Sequence, residues 1–139
     1  MRVLVCGTFD RLHPGHLFFL REARKRGELF IIIARDATVQ RVKGLLPQET
    51  EDVRLAKLQK ALPHVHPLLG NPDDFLAPVR SVQPDLILLG YDQHLPPGIR
   101  EVDLPCPFER LPAFHPEKYK SSLRRCQQEK PSQPSSFGE

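Results

Sequence analysis

Two short apolar segments flank a helical pattern within the first 34 residues, and this arrangement constrains the fold more than any other feature of the sequence. Residues 2–6 (RVLVC) and 29–34 (LFIIIA) have the length of strands, and the second is apolar throughout, as central strands of parallel sheets are. Between them, residues 15–26 place apolar side chains at positions 17, 18, 20 and 23, which form one face of a helix. The order strand, helix, strand predicts a βαβ unit.

The rest of the chain predicts further alternation of helices and strands. Thr50 can cap a helix that runs to about Leu62. Residues 35–48, of mixed polarity, predict a loop with at most a short helix. Strands are expected at 65–69, at 85–89 and, at a sheet edge, within 102–111, with short helices at 73–82 and after Ser121 or Ser122. We therefore expect an α/β protein, a three-layer α/β/α sandwich with a mostly parallel sheet of about five strands.

The chain length of 139 residues suits a single domain, which we place at residues 1–126. Residues 127–139 (QQEKPSQPSSFGE) are polar and rich in proline and serine. A segment of this composition cannot bury enough apolar surface to offset the entropy of ordering, so we expect a disordered tail.

Charge and cysteine content argue against several classes of protein. The net charge of +3 is small for a protein that coats DNA, but it suits a small anionic ligand. Three cysteines without a CxxC pair argue against a disulfide framework or a cysteine-based zinc site. No apolar run approaches the roughly 18 residues of a membrane span, and the N-terminal one is too short for a signal peptide. We expect a cytoplasmic protein whose partner is neither a membrane nor a nucleic acid.

The loop between the first strand and the first helix, residues 7–16 (GTFDRLHPGH), has an unusual choice of residues. Pro14 suits the first turn of a helix, where its missing N–H has no partner to lose. Gly15 removes a side chain where another group must approach closely. His16 then falls beside free backbone N–H groups at the positive end of the helix, which is an arrangement that binds phosphate. The alternative is an ordinary loop with two incidental histidines, His13 and His16.

This loop resembles the HxGH signature of the nucleotidyltransferase superfamily, which includes cytidylyltransferases and adenylyltransferases of Rossmann-like fold. Further segments resemble other landmarks of the superfamily: Lys43, Arg54, residues 89–93 (LGYDQ) and residues 121–124 (SSLR). The terminal motif usually continues with a hydroxyl and then an aliphatic residue, where this chain has Leu123 and Arg125.

Within the superfamily, residues 34–39 (ARDATV), 41–44 (RVKG) and 89–93 are similar to the archaeal type of FAD synthase, an FMN adenylyltransferase. Glycerol-3-phosphate cytidylyltransferases are also similar over GTFD and HPGH, but they typically carry tryptophan where this chain has Gln93. The resemblance implies transfer of a nucleoside monophosphate from a nucleoside triphosphate to a phosphorylated acceptor. Two alternatives stay open: a cytidylyltransferase for a small alcohol phosphate, and a nucleotide-binding module without turnover.

The same resemblance implies roles for individual residues. His13 and His16 would be catalytic through their imidazoles, and Lys43 and Arg124 through their positive charges. Nucleotide and phosphate binding would fall to Gly7, Thr8, Phe9, Gly15, Gly90, Asp92, Ser121 and Ser122. Candidate substrate contacts are Asp10, Arg54, Tyr91 and Phe114, with Phe9, Tyr91 and Phe114 lining an apolar slot for the acceptor. Plainer interpretations are a loop-stabilising Asp10, a solvated Lys43 and a solvated Arg54.

Implied partners are ATP or CTP and a phosphorylated acceptor, with FMN preferred. Mg²⁺ would arrive on the nucleotide phosphates, near Asp92, with no ion fixed by protein side chains alone. His64 and His66 lack the further ligands that a metal site needs. Members of this superfamily are often dimers, so a homodimer is also expected.

Overall fold

The computed structural model describes residues 1–90, 93, 95–96 and 98–111. Helices and strands alternate along the chain. In order, they are β1 (Arg2–Gly7), α1 (Pro14–Arg24), β2 (Glu28–Ile33), α2 (Asp36–Lys43), α3 (Glu51–Ala61), β3 (His66–Leu69), α4 (Leu76–Val82), β4 (Leu86–Leu89), a 3₁₀ turn (Glu101–Asp103) and β5 (Phe108–Arg110).

Within the described residues, five strands form one sheet in the order β3-β2-β1-β4-β5, and every pair of neighbours is parallel. The chain builds outward from β1 to β3 on one side and then crosses over to β4 and β5 on the other. The strand order therefore reverses between β1 and β4. In open α/β sheets, ligands bind at such a switch point, beyond the carboxyl ends of the strands.

Apolar side chains of the sheet pack into two clusters, one on each face. Val3 and Val5 of β1 pack with Leu20 of α1 and Leu58 of α3. Leu4, which points to the opposite face, belongs with the α4 residues Val79 and Val82. Helices thus cover both faces of a parallel sheet, and the predicted three-layer α/β/α sandwich is confirmed.

Residues 35–48, predicted as a loop with at most a short helix, contain α2, a helix of eight residues. Its composition is helix-neutral, but the first N–H group of the helix donates to the carboxylate of Glu51, and Gly44 ends the helix in a left-handed conformation with φ of 81°. A side chain 15 residues away supplies this cap, and the local sequence does not reveal it.

The helix expected from residue 73 begins at Leu76, because the side chain of Asn71 accepts the N–H groups of Asp73 and Asp74 in a turn. The helix expected after Ser121 or Ser122 and the tail at 127–139 lie outside the described residues. No helix in the described part of the chain combines the length and the apolar character needed to cross a membrane.

The packing of α1 on the sheet gives a direct test. Leu20 is fully buried, and Leu20→Ala should lower the free energy of unfolding by about 3 kcal/mol, because it leaves a cavity. Leu45, with 73% of its surface exposed, supplies the matched control, and Leu45→Ala should change stability by less than about 0.5 kcal/mol. Urea unfolding measures both. Equal effects would contradict the packing of α1.

Candidate functional site

The loop between β1 and α1 adopts a strained conformation that other parts of the chain hold in place. Phe9 and Arg11 both have left-handed backbone angles, with φ of 53° and 55°. Such angles are uncommon for residues other than glycine. The carboxylate of Asp10 accepts the N–H groups of Gln48 and Glu49 at 2.8 and 2.9 Å, and Glu49 accepts the N–H of Arg11 at 3.0 Å. The loop is therefore bound to the segment that precedes α3.

Both oxygens of Asp10 are engaged by these backbone groups. Burial raises the pKa of Asp10, but the two hydrogen bonds and the charges of Arg54 and Arg11 outweigh it and hold the pKa below its usual range. The predicted substrate contact at Asp10 is therefore not supported. The structure agrees with the plainer interpretation, in which this carboxylate stabilises the loop.

The two histidines cap α1 reciprocally. Nδ1 of His13 accepts the N–H groups of Gly15 and His16 at 3.1 and 3.4 Å, and Nδ1 of His16 accepts the N–H of His13 at 3.3 Å. Their rings are stacked with centroids 3.7 Å apart. Because each Nδ1 is an acceptor, each neutral ring carries its proton on Nε2. The cap thus sets the tautomer and leaves two Nε2–H groups as donors at the start of the helix.

Both imidazoles are neutral in the ligand-free site at neutral pH. Burial lowers the pKa of His13. Burial, and then the charge of His13, lower the pKa of His16 to about 4, against a smaller opposing effect of Asp10. A doubly protonated ring would also lose its cap, since Nδ1 could no longer accept a backbone N–H. The site therefore offers hydrogen-bond donors without a fixed positive charge.

The ring of Phe9 packs against the ring of His16. The Phe9 side chain is 7% exposed, lies in the core cluster and meets the His16 ring edge to face, with centroids 5.4 Å apart. A Cβ atom on Gly7 would lie 2.8 Å from the Phe9 ring, so this ring position requires glycine at residue 7. The predicted role of Phe9 in lining an apolar slot is wrong, because its ring is buried on the α1 face of the sheet.

Arg54 is fully buried, so the predictions of a solvated side chain and of a substrate contact are both wrong. Its guanidinium donates to the carbonyl of Thr8 at 2.8 Å, to the carbonyl of Glu49 at 3.1 Å and to Asp36 Oδ1 at 2.7 Å. One side chain thereby connects the β1–α1 loop, the segment before α3 and the first residue of α2. Arg54 positions the loop without reaching a ligand.

The first turns of α2 and α3 cap each other. The N–H of Asp36 donates to Glu51 at 2.8 Å, and the N–H of Glu51 donates to Asp36 at 3.3 Å. Arg35 donates to Glu51 and to the carbonyl of Gly70, each at 2.8 Å. Sequence reasoning missed these contacts. The pattern of an acidic residue in the first turn of each helix was visible, but their pairing across 15 residues was not.

The remaining predicted site residues fall into two groups. Gly15 lies in the first turn of α1 and donates to His13, Gly90 directly follows β4, and Lys43 is exposed at the end of α2 and not on a loop. The other residues lie outside the described part of the chain: Tyr91, Asp92, Phe114, Ser121, Ser122 and Arg124.

A pocket opens at the carboxyl ends of the strands, on the α4 face of the sheet, with an empty volume of about 800 Å³ including its mouth. Its apolar walls include Ile87, Leu89, Phe75, Leu95 and Leu104. Polar groups also reach it, and they belong to Thr8, Arg35, Thr38, Asn71 and Gln93. Leu89 and Gln93 belong to the motif at residues 89–93, whereas the pocket residues from α4 and those beyond residue 93 carry no motif, so the sequence could not identify them.

A cysteine at the pocket has little nucleophilic character. Cys6 lines the pocket, and burial raises the pKa of its thiol to about 12, so it stays protonated and is a poor nucleophile. Among the described residues, no group of three or more His, Cys, Asp or Glu side chains could hold a metal ion.

Known proteins are similar to this chain over most of its length. The sequence model of the family described as cytidylyltransferase-like matches residues 4–123. The chain is 49% identical over 94 residues to the FAD synthase of Aciduliprofundum boonei, covering 67% of this chain and 62% of that protein. It is 41% identical over 121 residues to the FAD synthase of Methanoculleus marisnigri, covering 82% and 79%. The match thus spans about three fifths of the first of these relatives.

A solved structure is also similar. The lipopolysaccharide core biosynthesis protein from Thermoplasma volcanium GSS1 superimposes with a TM-score of 0.72 at 34% identity, covering 83% of this chain and 98% of that chain.

The neutral histidine pair predicts a pH-dependent stability. The folded-state pKa of His16 lies below its ordinary value, so stability is complete above about pH 6.5 and falls as the pH drops toward about 4. In His16→Asn, the amide oxygen can replace Nδ1 as the cap but does not titrate, so the loss of melting temperature between about pH 7.5 and pH 5 should be smaller than in wild type. His64→Asn, at an exposed position, is the matched control. A slope as steep as that of wild type would contradict burial of His16.

The position of Arg54 predicts a large loss of stability on its removal. Arg54→Met should lower the free energy of unfolding by about 3 kcal/mol, because Asp36 and two carbonyls lose their partner. Arg21→Met, at an exposed position of α1, should stay within about 0.5 kcal/mol of wild type. Urea unfolding distinguishes the two. A variant at position 54 as stable as this control would refute the buried network.

Proposed function

The chain belongs to the cytidylyltransferase-like family, and on that premise we propose that it is a nucleotidyltransferase that transfers the AMP moiety of ATP to FMN, forming FAD and pyrophosphate. The relatives named FAD synthase support this choice of substrates. One observation carries it: Gly7 and Thr8 line the apolar pocket and also lead directly into the loop with the histidine pair.

In the proposed reaction, a phosphate oxygen of FMN attacks the α-phosphorus of ATP. A new P–O bond forms, and the bond from the α-phosphorus to the bridging oxygen of the β-phosphate breaks, so that pyrophosphate leaves. No covalent bond to the enzyme is needed. Catalysis then consists of placing the two phosphates and stabilising the charge that develops on them.

The histidine pair suits this task. The Nε2–H groups of His13 and His16, at the positive end of α1, would donate to oxygens of the α-phosphate. Their Nδ1 atoms are held by backbone N–H groups, so the donors need no reorganisation when charge builds up. Because Nδ1 of each ring stays an acceptor of the cap, each ring would act as a neutral donor through Nε2.

The acceptor would place its flat ring system in the pocket. The walls formed by Leu89, Phe75 and Leu104 suit the apolar face of a flavin, and Arg35 and Asn71 suit its polar edge. With the ring there, the phosphate of FMN would extend past Gly7 and Thr8 toward the histidines. A small alcohol phosphate would leave most of these apolar walls in contact with water.

Further roles rest on the family resemblance. Lys43 and Arg124 would bind the triphosphate as cations, and Ser121, Ser122 and Asp92 would bind phosphate oxygens or ribose hydroxyls. The reaction would use a divalent ion, for which we propose Mg²⁺, carried by the nucleotide phosphates. The carboxylate of Asp10 is engaged by two backbone N–H groups, so it would not contribute to the binding of this ion.

We also propose that residues 1–126 act as one nucleotidyltransferase domain and that the protein works in the cytoplasm as a homodimer. Its partners would be small molecules, with neither a nucleic acid nor a membrane among them. Sedimentation of the full chain tests the dimer.

The activity has a direct test. With ATP, FMN and Mg²⁺, the protein should form FAD, and CTP should not replace ATP. His16→Ala should lower kcat/KM at least about tenfold, or about 1.4 kcal/mol, because a donor to the transition state is lost. His64→Ala, a change of the same kind far from the pocket, should keep wild-type turnover. Chromatography of FAD measures all of these.

Two results would redirect the proposal. Transfer from CTP to glycerol 3-phosphate, without FAD formation, would favour the cytidylyltransferase. Binding of ATP without turnover on any acceptor would favour a nucleotide-binding module.

A further inference from the structure

The pairing of β1 with β4 stops short of the carboxyl ends of these strands. The pairs are Val3 with Leu86 and Leu4 with Ile87, whereas the pairing of β1 with β2 continues to Gly7 and Ile33. If the pairing of β1 with β4 continued in the same register, Cys6 would lie opposite Leu89. Beyond Leu4, however, the ladder between β1 and β4 is not formed, and a crevice opens at the point where the strand order reverses.

The side chain of Gln93 fills this crevice. Its Nε2 donates to the carbonyl of Cys6 at 3.0 Å, and its Oε1 accepts the N–H of Gly90 at 3.0 Å. A carbonyl can only accept and a backbone N–H can only donate, so the two partners fix which way the amide points. The side-chain amide makes the two kinds of hydrogen bond that a peptide group makes in a sheet.

Gln93 is itself held in place from the other side. Nη1 of Arg110, at the end of β5, donates to the carbonyl of Gln93 at 2.6 Å and to that of Gly90 at 3.2 Å. The N–H of Gln93 also donates to the carbonyl of Gly90 at 3.1 Å. The backbone of residues 90 and 93 is therefore fixed, and the amide has little freedom to leave the crevice.

We propose that Gln93 is a positioning residue for the acceptor: by joining the ends of β1 and β4, it sets the pocket wall formed by Cys6, Gly7 and Gln93 itself. All three residues line the pocket. The β1–α1 loop, which carries the histidine pair, is held instead by Asp10 and Arg54. Loss of the amide should therefore impair use of the acceptor more strongly than binding of the nucleotide.

The crevice needs a hydrogen-bond donor for the carbonyl of Cys6 and an acceptor for the N–H of Gly90. The side chain of glutamine supplies both from one amide group. Gln93→Met keeps the length of the side chain and loses both hydrogen bonds. Gln93→Glu keeps the acceptor for Gly90 and loses the donor to Cys6. Gln59→Met is the matched control, because it makes the same chemical change at an exposed position of α3.

The first measurement, which needs no substrate, is amide hydrogen exchange at Gly90 by NMR in the full, ligand-free chain. Exchange should be at least about tenfold faster in Gln93→Met than in wild type, and within about threefold of wild type in Gln93→Glu and Gln59→Met. Unchanged exchange in Gln93→Met would overturn the proposal. If that variant does not fold, unprotected Gly90 in Gln93→Glu would overturn it instead.

The second measurement rests on the proposed function. At saturating ATP, kcat/KM for FMN should fall at least about tenfold in both variants at position 93, while the Kd for ATP changes by a much smaller factor. An equal loss of ATP affinity, or full activity despite fast exchange at Gly90, would overturn the positioning role. If wild type forms no FAD, the proposed function fails, and exchange at Gly90 still decides whether the amide joins the strands.

Discussion

The buried guanidinium of Arg54 makes the contacts on which the β1–α1 loop depends. It joins the carbonyl of Thr8, the segment before α3 and the first carboxylate of α2. A charge removed from water is stable only when partners surround it, so these three parts of the chain must come together around Arg54 or leave it unpaired. The left-handed residues Phe9 and Arg11 can therefore persist in the loop, because the surrounding structure offsets their strain.

The site that this network supports combines neutral donors with an apolar neighbour. Burial keeps the pKa of His13 and His16 low, and the reciprocal cap directs their protons to Nε2. A neutral donor at a helix start can bind an anion without a standing charge to stabilise in the empty site. The pocket on the other face of the sheet adjoins the histidine loop through Gly7 and Thr8, as the proposed transfer to FMN requires.

The pattern of apolar residues was sufficient for the architecture. The βαβ unit, the parallel sheet and the helices on both faces were predicted and are confirmed, because strand and helix periods are local properties of the sequence. The membership of the family was also accessible, since the residues GTFDRLHPGH are contiguous. Roles that depend on burial were predicted less well: Arg54 and Phe9 were expected at a ligand, and both side chains are buried in the protein.

The sequence by itself determined the order of the elements and the position of the histidine pair after β1, because both follow from neighbouring residues. Only the tertiary structure decided which groups point toward a ligand and which hold the protein together. Asp36 meets Glu51, Arg54 meets Thr8 and Gln93 meets Cys6 across 15, 46 and 87 residues. Contacts over such separations form when the chain folds back on itself, and no local pattern specifies them, so the caps, the pocket wall and the state of the histidines became visible only in the folded molecule.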